Sequence, residues 1–190
     1  QNKSGCDLST LINRFRIHLN ELQIPGSTFL NSEKEQKIAK LMNPVEFISL
    51  REKITLPYLI ALETYDLGSA ELLKLFCPDD ADAVVELGSG FGLRLADFWL
   101  KGGPQNLRYY AFEYTDNGRK CADLLSSFER NFKLTSHPFN YHIPDLSPIA
   151  SQYEHVYFIT HSSIEQIPKI QKELLEMMVS VSKKITVTHL

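Results

Sequence analysis

The sequence has no long apolar run, few cysteines and no excess of basic residues. No stretch of its 190 residues approaches the ~20 apolar residues that a membrane-spanning helix needs. The first ten residues lack the basic and apolar regions of a signal peptide. A net charge of −3 disfavours a surface that coats nucleic acid. We therefore expect neither a membrane nor a nucleic-acid partner.

The three cysteines, Cys6, Cys77 and Cys121, are far apart and form neither a CxxC pair nor a Cys/His metal spacing. Such usage is typical of reduced thiols in the cytoplasm, which is the location we predict. No cluster of acidic residues and histidines follows adjacent predicted strands, so we predict no metal site. His18, His137, His155 and His189 are interpreted as structural or solvated.

The apolar fraction of 43% suffices for a globular core, and the pattern of the chain changes near residue 80. Before this point we predict a helical cap over residues 1–80, built of four or five short helices. The helix starts that define it lie at Asp7 for a helix over residues 8–22, at Ser32 with Glu35, and at Asn43-Pro44. Tyr58 and Tyr65 of this cap are candidates for contacting a substrate.

Residues 81–190 alternate strand-like runs with amphipathic helices and form the second predicted domain. This alternation indicates an α/β fold, a Rossmann-like doubly wound, mostly parallel sheet of about five strands. Ligands of such sheets bind beyond the carboxyl ends of the strands. The predicted strands span residues 83–87, 108–113, 138–142, 154–160 and 184–189.

The end of the first of these strands carries a glycine-rich turn, Glu86-Leu-Gly88-Ser-Gly90-Phe-Gly92. A GxGxxG dinucleotide fingerprint would need glycine at position 93, which is Leu, and the GK[ST] of a P-loop is absent. A carboxylate beside the turn suits a cationic group such as an amino-acid ammonium and suits a pyrophosphate poorly. The sequence therefore predicts a cofactor site that includes Glu86, Gly88, Ser89 and Gly90.

The next two strand ends supply candidates for a nucleoside. Glu113 lies 25 residues after Gly88, where a carboxylate accepts hydrogen bonds from ribose hydroxyls. Tyr114 is a candidate for packing on the sugar or base. Asn140 could bind an adenine amino group through its amide oxygen, and Asp145 competes for that role. The aromatic neighbours of Asn140, Phe139 and Tyr141, could stack on the base.

After the fourth strand, Thr160-His161-Ser162-Ser163 places hydroxyls and an imidazole where such a sheet presents chemistry. We assign Thr160 to the cofactor site and His161 as the catalytic base, because imidazole accepts a proton near pH 7. Ser162 or Ser163 is also predicted to cap the following helix, with Glu165 or Gln166 completing a capping box.

Residues 83–190 resemble the class I S-adenosylmethionine-dependent methyltransferases, on the strength of ELGSGFG and the acidic second-strand end. The resemblance implies S-adenosyl-L-methionine as cofactor. The run VYFITHSSIEQIP is similar to a stretch of the sugar O-methyltransferases, which implies a small-molecule acceptor with a sugar hydroxyl. The family fold has seven strands and only five are predicted here, so we expect the last two to be missing or another segment to cover that edge. The exposed edge of the fifth strand is compatible with a homo-oligomer.

Two other functions remain open from the sequence. A nucleotide-dependent oxidoreductase would use the same kind of fold, although Leu93 and Glu86 argue against it. A non-catalytic module that binds S-adenosylmethionine or a nucleoside would keep the glycine turn and Glu113 without turnover.

Overall fold

A computed structural model of the chain describes residues 7–14, 44–49, 52–57 and 69–190. The chain divides into two compact units, Cys6–Gly68 and a larger one that contains Ser69–Leu190. Residues 69–80 therefore belong to the same unit as the sheet, although the sequence assigned them to the N-terminal cap. No helix in these described ranges is long and apolar enough to cross a membrane.

In the smaller unit, helix α1 covers residues 8–14. Asp7 caps it, because the backbone N–H of Thr10 donates to Asp7 Oδ1 at 2.7 Å, and this bond lowers the pKa of the Asp7 carboxyl. Leu8 and Ile12 are buried on one side of the helix. The predicted helix is thus confirmed as far as residue 14. Its remainder, the helix from Ser32, and Tyr58 and Tyr65 lie outside the described residues.

The helix predicted from Asn43-Pro44 is wrong, because a β-hairpin occupies this segment. Strands β1 (Pro44–Ser49) and β2 (Glu52–Pro57) pair antiparallel, from Pro44 opposite Pro57 to Ser49 opposite Glu52. The segment is rich in β-branched and aromatic residues, which favour extended backbone. Each proline lies at a strand end, where its missing N–H costs least. The cross-strand ladder therefore outweighs the preference of Pro44 for a first helical turn.

The larger unit is a five-stranded, all-parallel sheet with helices, as predicted from the sequence. Its strand order is β5-β4-β3-β6-β7. The strands are β3 (Ala83–Leu87), β4 (Arg108–Glu113), β5 (Leu134–Pro138), β6 (His155–Thr160) and β7 (Lys184–His189). The helices are α2 (residues 69–76), α3 (Leu93–Leu100), α4 (Asp116–Ser127) and α5 (Lys172–Ser180). Two 3₁₀ turns cover Ser147–Ile149 and Ile164–Gln166.

Strand β5 ends where the sequence predicted it to begin. Leu134 to Pro138 pair with Tyr109 to Glu113, whereas residues 138–142 were predicted. Pro138 has no N–H to extend the ladder, and only one further bond follows, from the N–H of Phe139 to the carbonyl of Glu113 at 3.1 Å. The chain then turns, which moves the aromatic residues after Pro138 from the sheet into the region beyond its edge.

The two faces of the sheet pack against different helices. On one face the alternate residues Ala83, Val85 and Leu87 join a buried cluster with Leu174 and Met178 of α5. On the other face Tyr109 packs edge-on against Phe98 of α3, with ring centroids 6.2 Å apart. Helix α4 buries Ala122 and Leu125, whereas Cys121 and Leu124 are exposed.

Strand β3 lies at the centre of the sheet, between β4 and β6. The strand order runs outward through β4 to β5 and then resumes on the opposite side of β3 with β6. The carboxyl end of β3 is therefore the topological switch point, where sheets of this kind leave a crevice for ligands. The glycine-rich turn that follows β3 is located at this crevice.

Candidate functional site

The glycine turn after β3 has left-handed backbone that side chains disfavour. Gly88, Gly90 and Gly92 have φ values of 73°, 56° and 78°. The N–H groups of Gly88 and Ser89 both donate to the carbonyl of Phe112, at 2.8 and 3.1 Å. These bonds hold the turn against the neighbouring strand β4. Helix α3 begins just beyond the turn, at Leu93.

Glu113 joins this turn directly. Its Oε2 accepts the backbone N–H of Gly90 at 2.9 Å. Its Oε1 accepts the N–H and the hydroxyl of Thr115, at 2.8 and 2.7 Å. Two elements that the sequence predicted to form one site are therefore in direct contact. A carboxylate offers about four acceptor positions, so the three bonds leave Glu113 with capacity for a further donor.

Glu86 is the other acidic residue beside the turn, and its environment differs from that of Glu113. Its side chain is only 2% exposed, and Oε2 has no hydrogen-bond partner among the described residues. Burial raises the pKa of Glu86 to about 8; Arg94 opposes this rise and the negative charge of Glu113 adds to it. The buried hydroxyl of Ser89 likewise lacks a partner in the described part of the chain.

A cavity of about 260 Å³ opens beyond the carboxyl ends of β3, β4 and β5. Four of the residues predicted to bind a cofactor line it, namely Gly88, Glu113, Tyr114 and Asn140. Phe139 and Tyr141, the aromatic neighbours of Asn140, also line it, together with His142 and Ile167, which were not assigned to the site from the sequence. Tyr114 is 71% exposed, so its ring is accessible to a bound molecule at the rim.

Tyr141 and Ser163 connect the segments after β5 and β6 to the end of β3. Both hydroxyls donate to the carbonyl of Leu87, at 2.8 and 3.0 Å, and the two oxygens lie 3.0 Å apart. Burial raises the pKa of Tyr141 to about 12. A Cβ atom on Gly88 would lie 2.7 Å from Ser163 Cβ. Ser163 and Tyr141 therefore pack against Gly88 and leave no room for a side chain at this position.

The predicted capping box at Ser162 and Ser163 is wrong. Ser163 occupies the residue before the 3₁₀ turn, but its side chain makes no capping hydrogen bond. The hydroxyl is already engaged with Leu87 O, which is a partner distant in sequence. Gln166 donates from Nε2 to the carbonyl of Ser162 at 2.7 Å, and this bond closes the turn instead.

The two residues proposed for adenine are both held in local turns. Asn140 Oδ1 accepts the N–H of His142 at 2.9 Å, so one acceptor position of its amide oxygen is in use. Asp145 Oδ1 accepts the N–H of Ser147 at 2.9 Å, which starts the 3₁₀ turn. The hydroxyl of Ser147, and then its N–H, lower the pKa of Asp145. Asn140 lines the cavity and Asp145 does not.

Thr160 and His161 are not among the residues that line the cavity. Thr160 is buried, and its Oγ1 lies 2.8 Å from Nδ1 of His189 on β7. His161 is half-buried in the segment between β6 and the 3₁₀ turn. Glu86, Ser89 and Gly90 also lie outside the cavity wall, although Gly90 contacts it through Glu113. Among the described residues, no group of three or more acidic residues, histidines or cysteines could hold a metal ion.

No family model matches the sequence, and no curated protein matches it. Solved structures do match. An S-adenosylmethionine-dependent methyltransferase from Aquifex aeolicus aligns with a TM-score of 0.50 at 14% identity, over 66% of this chain and 65% of its own. Coclaurine N-methyltransferase, bound to N-methylheliamine and S-adenosylhomocysteine, aligns with a TM-score of 0.53 at 15% identity, over 96% of this chain and 50% of its own. The chain therefore has the fold of these methyltransferases and spans half to two thirds of their length.

Proposed function

We propose that the unit containing Ser69–Leu190 binds S-adenosyl-L-methionine and that the protein is a methyltransferase. The observation that carries this proposal is the hydrogen bond from Gly90 to Glu113 Oε2. It brings the glycine turn and the acidic strand end into one site, at the switch point of a sheet shared with methyltransferases. The two motifs then contact the two halves of one ligand.

The cofactor fits the residues present. Glu113, with one acceptor position remaining, takes a ribose hydroxyl, and the aromatic wall of the cavity, with Tyr114 and Asn140, takes the base. Glu86 and Ser89 carry buried oxygens without partners and take the ammonium-bearing half. Gly88 lets the turn pack closely against Ser163 and Tyr141 because it has no Cβ. Thr160 serves the site by holding the end of β6.

For the reaction, we propose transfer to a hydroxyl of a sugar or another small molecule. When bound, the cofactor supplies a methyl group on a positively charged sulfur. The protein aligns the acceptor for in-line attack and excludes water. His161 then accepts the proton of the acceptor hydroxyl, a contribution of roughly 10²–10⁴-fold for a general base. The resemblance of VYFITHSSIEQIP to sugar O-methyltransferases supports this acceptor class.

A binding module without turnover is the second candidate. It is favoured by one observation, that the cavity wall of described residues includes four predicted cofactor residues but not His161. An oxidoreductase receives less support, because Leu93 stands where the GxGxxG fingerprint of a dinucleotide site needs glycine.

Isothermal titration calorimetry of the purified chain with S-adenosylmethionine, S-adenosylhomocysteine and NAD⁺ tests the cofactor. We expect both sulfur compounds to bind and NAD⁺ not to bind. Mass spectrometry for S-adenosylhomocysteine released in the presence of sugar acceptors then separates an enzyme from a binding module. Binding of NAD⁺ alone would overturn the proposal in favour of an oxidoreductase.

A further inference from the structure

Glu86 is a buried acid that lacks the partners of its neighbour. Glu113 has three hydrogen-bond donors on its carboxylate, whereas Glu86 Oε2 has none among the described residues. A buried carboxylate oxygen that receives no donor makes the ionised form costly, which favours uptake of a proton. The surroundings of Glu86 therefore favour its protonated form.

The charges near Glu86 act in opposite directions, with the effect of Arg94 the larger, and burial outweighs both in raising the pKa of Glu86. Among the described residues, Arg94 of α3 favours the ionised form, and the carboxylate of Glu113 at the end of β4 disfavours it. Tyr141, from the segment after β5, also lies near Glu86, whose negative charge contributes to the raised pKa of the tyrosine. The phenol of Tyr141 is therefore neutral near pH 7. The net result is a carboxyl whose pKa is raised to about 8, so it is mostly protonated at neutral pH.

We infer that Glu86 carries a proton in the ligand-free protein and releases it when a positively charged ligand group binds beside the glycine turn. The inference rests on the proposed S-adenosylmethionine site, whose ligand has an ammonium group. A cation next to Oε2 stabilises the carboxylate. Glu86 thus selects cationic ligands by ionising as they bind.

Two measurable quantities follow. At pH 6.5 an α-amino group is already protonated, so the ligand itself neither gains nor loses a proton there. Binding should release about one proton per site at this pH. Because proton release and affinity are linked, the affinity should rise on the order of tenfold per pH unit between pH 5.5 and 6.5.

The experiment is calorimetric titration of the full chain with S-adenosylmethionine at pH 6.5, in two buffers of different ionisation enthalpy. The difference in observed enthalpy gives the number of protons released. We expect about one for the wild type and for Glu173→Gln, which removes an exposed carboxylate from α5. We expect none for Glu86→Gln, together with a flat pH dependence of its affinity.

A ligand-free measurement keeps the test decisive if Glu86→Gln does not bind. Carbon-13 NMR of the chain labelled at glutamate carboxyls should show one signal that titrates near pH 8 and is absent from Glu86→Gln. Binding by the wild type without proton release would overturn the inference and leave the proposed function intact. Failure of the wild type to bind S-adenosylmethionine would overturn the proposed function, and the role of Glu86 with it.

Discussion

The backbone N–H of Gly90 lies 2.9 Å from Oε2 of Glu113, a residue 23 positions further along the chain. The bond ties the left-handed middle of the glycine turn to the end of β4. The same carboxylate accepts two hydrogen bonds from Thr115, the residue that caps α4. Glu113 therefore fixes the position of the turn and the start of a helix while it lines the cavity.

Replacement of Glu113 should weaken both the fold and ligand binding. In Glu113→Ala the N–H of Gly90 loses its acceptor, and an unsatisfied buried donor costs about 1–3 kcal/mol. Glu113→Gln keeps one acceptor oxygen and should lose less of both properties. Urea unfolding measures the stability, and calorimetry with S-adenosylmethionine measures the affinity. Unchanged affinity in Glu113→Ala would contradict its role at the ribose.

Gly88 and Gly90 form a matched pair for testing how closely Ser163 packs against the turn. Both have positive φ, so alanine is strained by about 1–2 kcal/mol at either position. A Cβ on Gly88 would also clash with Ser163 Cβ at 2.7 Å, whereas a Cβ on Gly90 would meet nothing within 4 Å. Gly88→Ala should therefore reduce the free energy of unfolding more than Gly90→Ala, as measured by urea unfolding. Equal losses would show that Ser163 moves aside for the added methyl group.

Tyr141 and Ser163 should behave as interchangeable donors to Leu87 O. Removal of either hydroxyl leaves the other bond in place, so Tyr141→Phe and Ser163→Ala should each cost about 0.5–1.5 kcal/mol. The double variant removes both donors and should cost more than the sum of the single losses. A double-mutant cycle on urea unfolding measures the difference. Strict additivity would mean that the two bonds are independent.

The sequence predicted the centre of the sheet well because β3, β4 and β6 are buried and apolar. Strands β3, β4 and β7 have the predicted bounds, and β6 begins one residue later than predicted. The errors arose at prolines. Pro44 was interpreted as a helix start and lies at the end of a hairpin strand, and Pro138 was placed at the start of a strand that it terminates.

The sequence predicted those parts of the site that are defined by their spacing along the chain. The glycine turn and Glu113 could be found because their positions follow strands of recognisable pattern. The hydrogen bond of Tyr141 to Leu87 O could not, because Tyr141 lies in an irregular turn and reaches Leu87 across 54 positions of sequence. Ser163 stands where the sequence predicts a capping residue. Only the folded chain shows that its hydroxyl donates to the carbonyl of Leu87 instead. Long-range hydrogen bonds of this kind leave no local signal.

His161 and His142 offer a direct comparison for the proposed base. His161 follows β6, and His142 lines the cavity. His161→Ala should lower turnover by roughly 10²–10⁴-fold while the affinity for S-adenosylmethionine stays near that of the wild type, because the imidazole acts on the acceptor. His142→Ala should retain turnover. Release of S-adenosylhomocysteine with an active acceptor measures both, and the reverse pattern would transfer the role to His142.

The raised pKa of Glu86 also predicts how stability depends on pH. The carboxyl has a pKa of about 8 in the folded chain against an ordinary value of 4.5, so the folded state holds a proton that the unfolded state has lost. The stabilisation is therefore complete below about pH 4.5 and is lost as the pH rises toward 8. Within this window the contribution falls by about 1.4 kcal/mol per pH unit. Urea unfolding between pH 5 and 8 should show this decline in the wild type and in Glu173→Gln but not in Glu86→Gln. Parallel profiles for all three proteins would mean that Glu86 is ionised in the folded chain throughout this range.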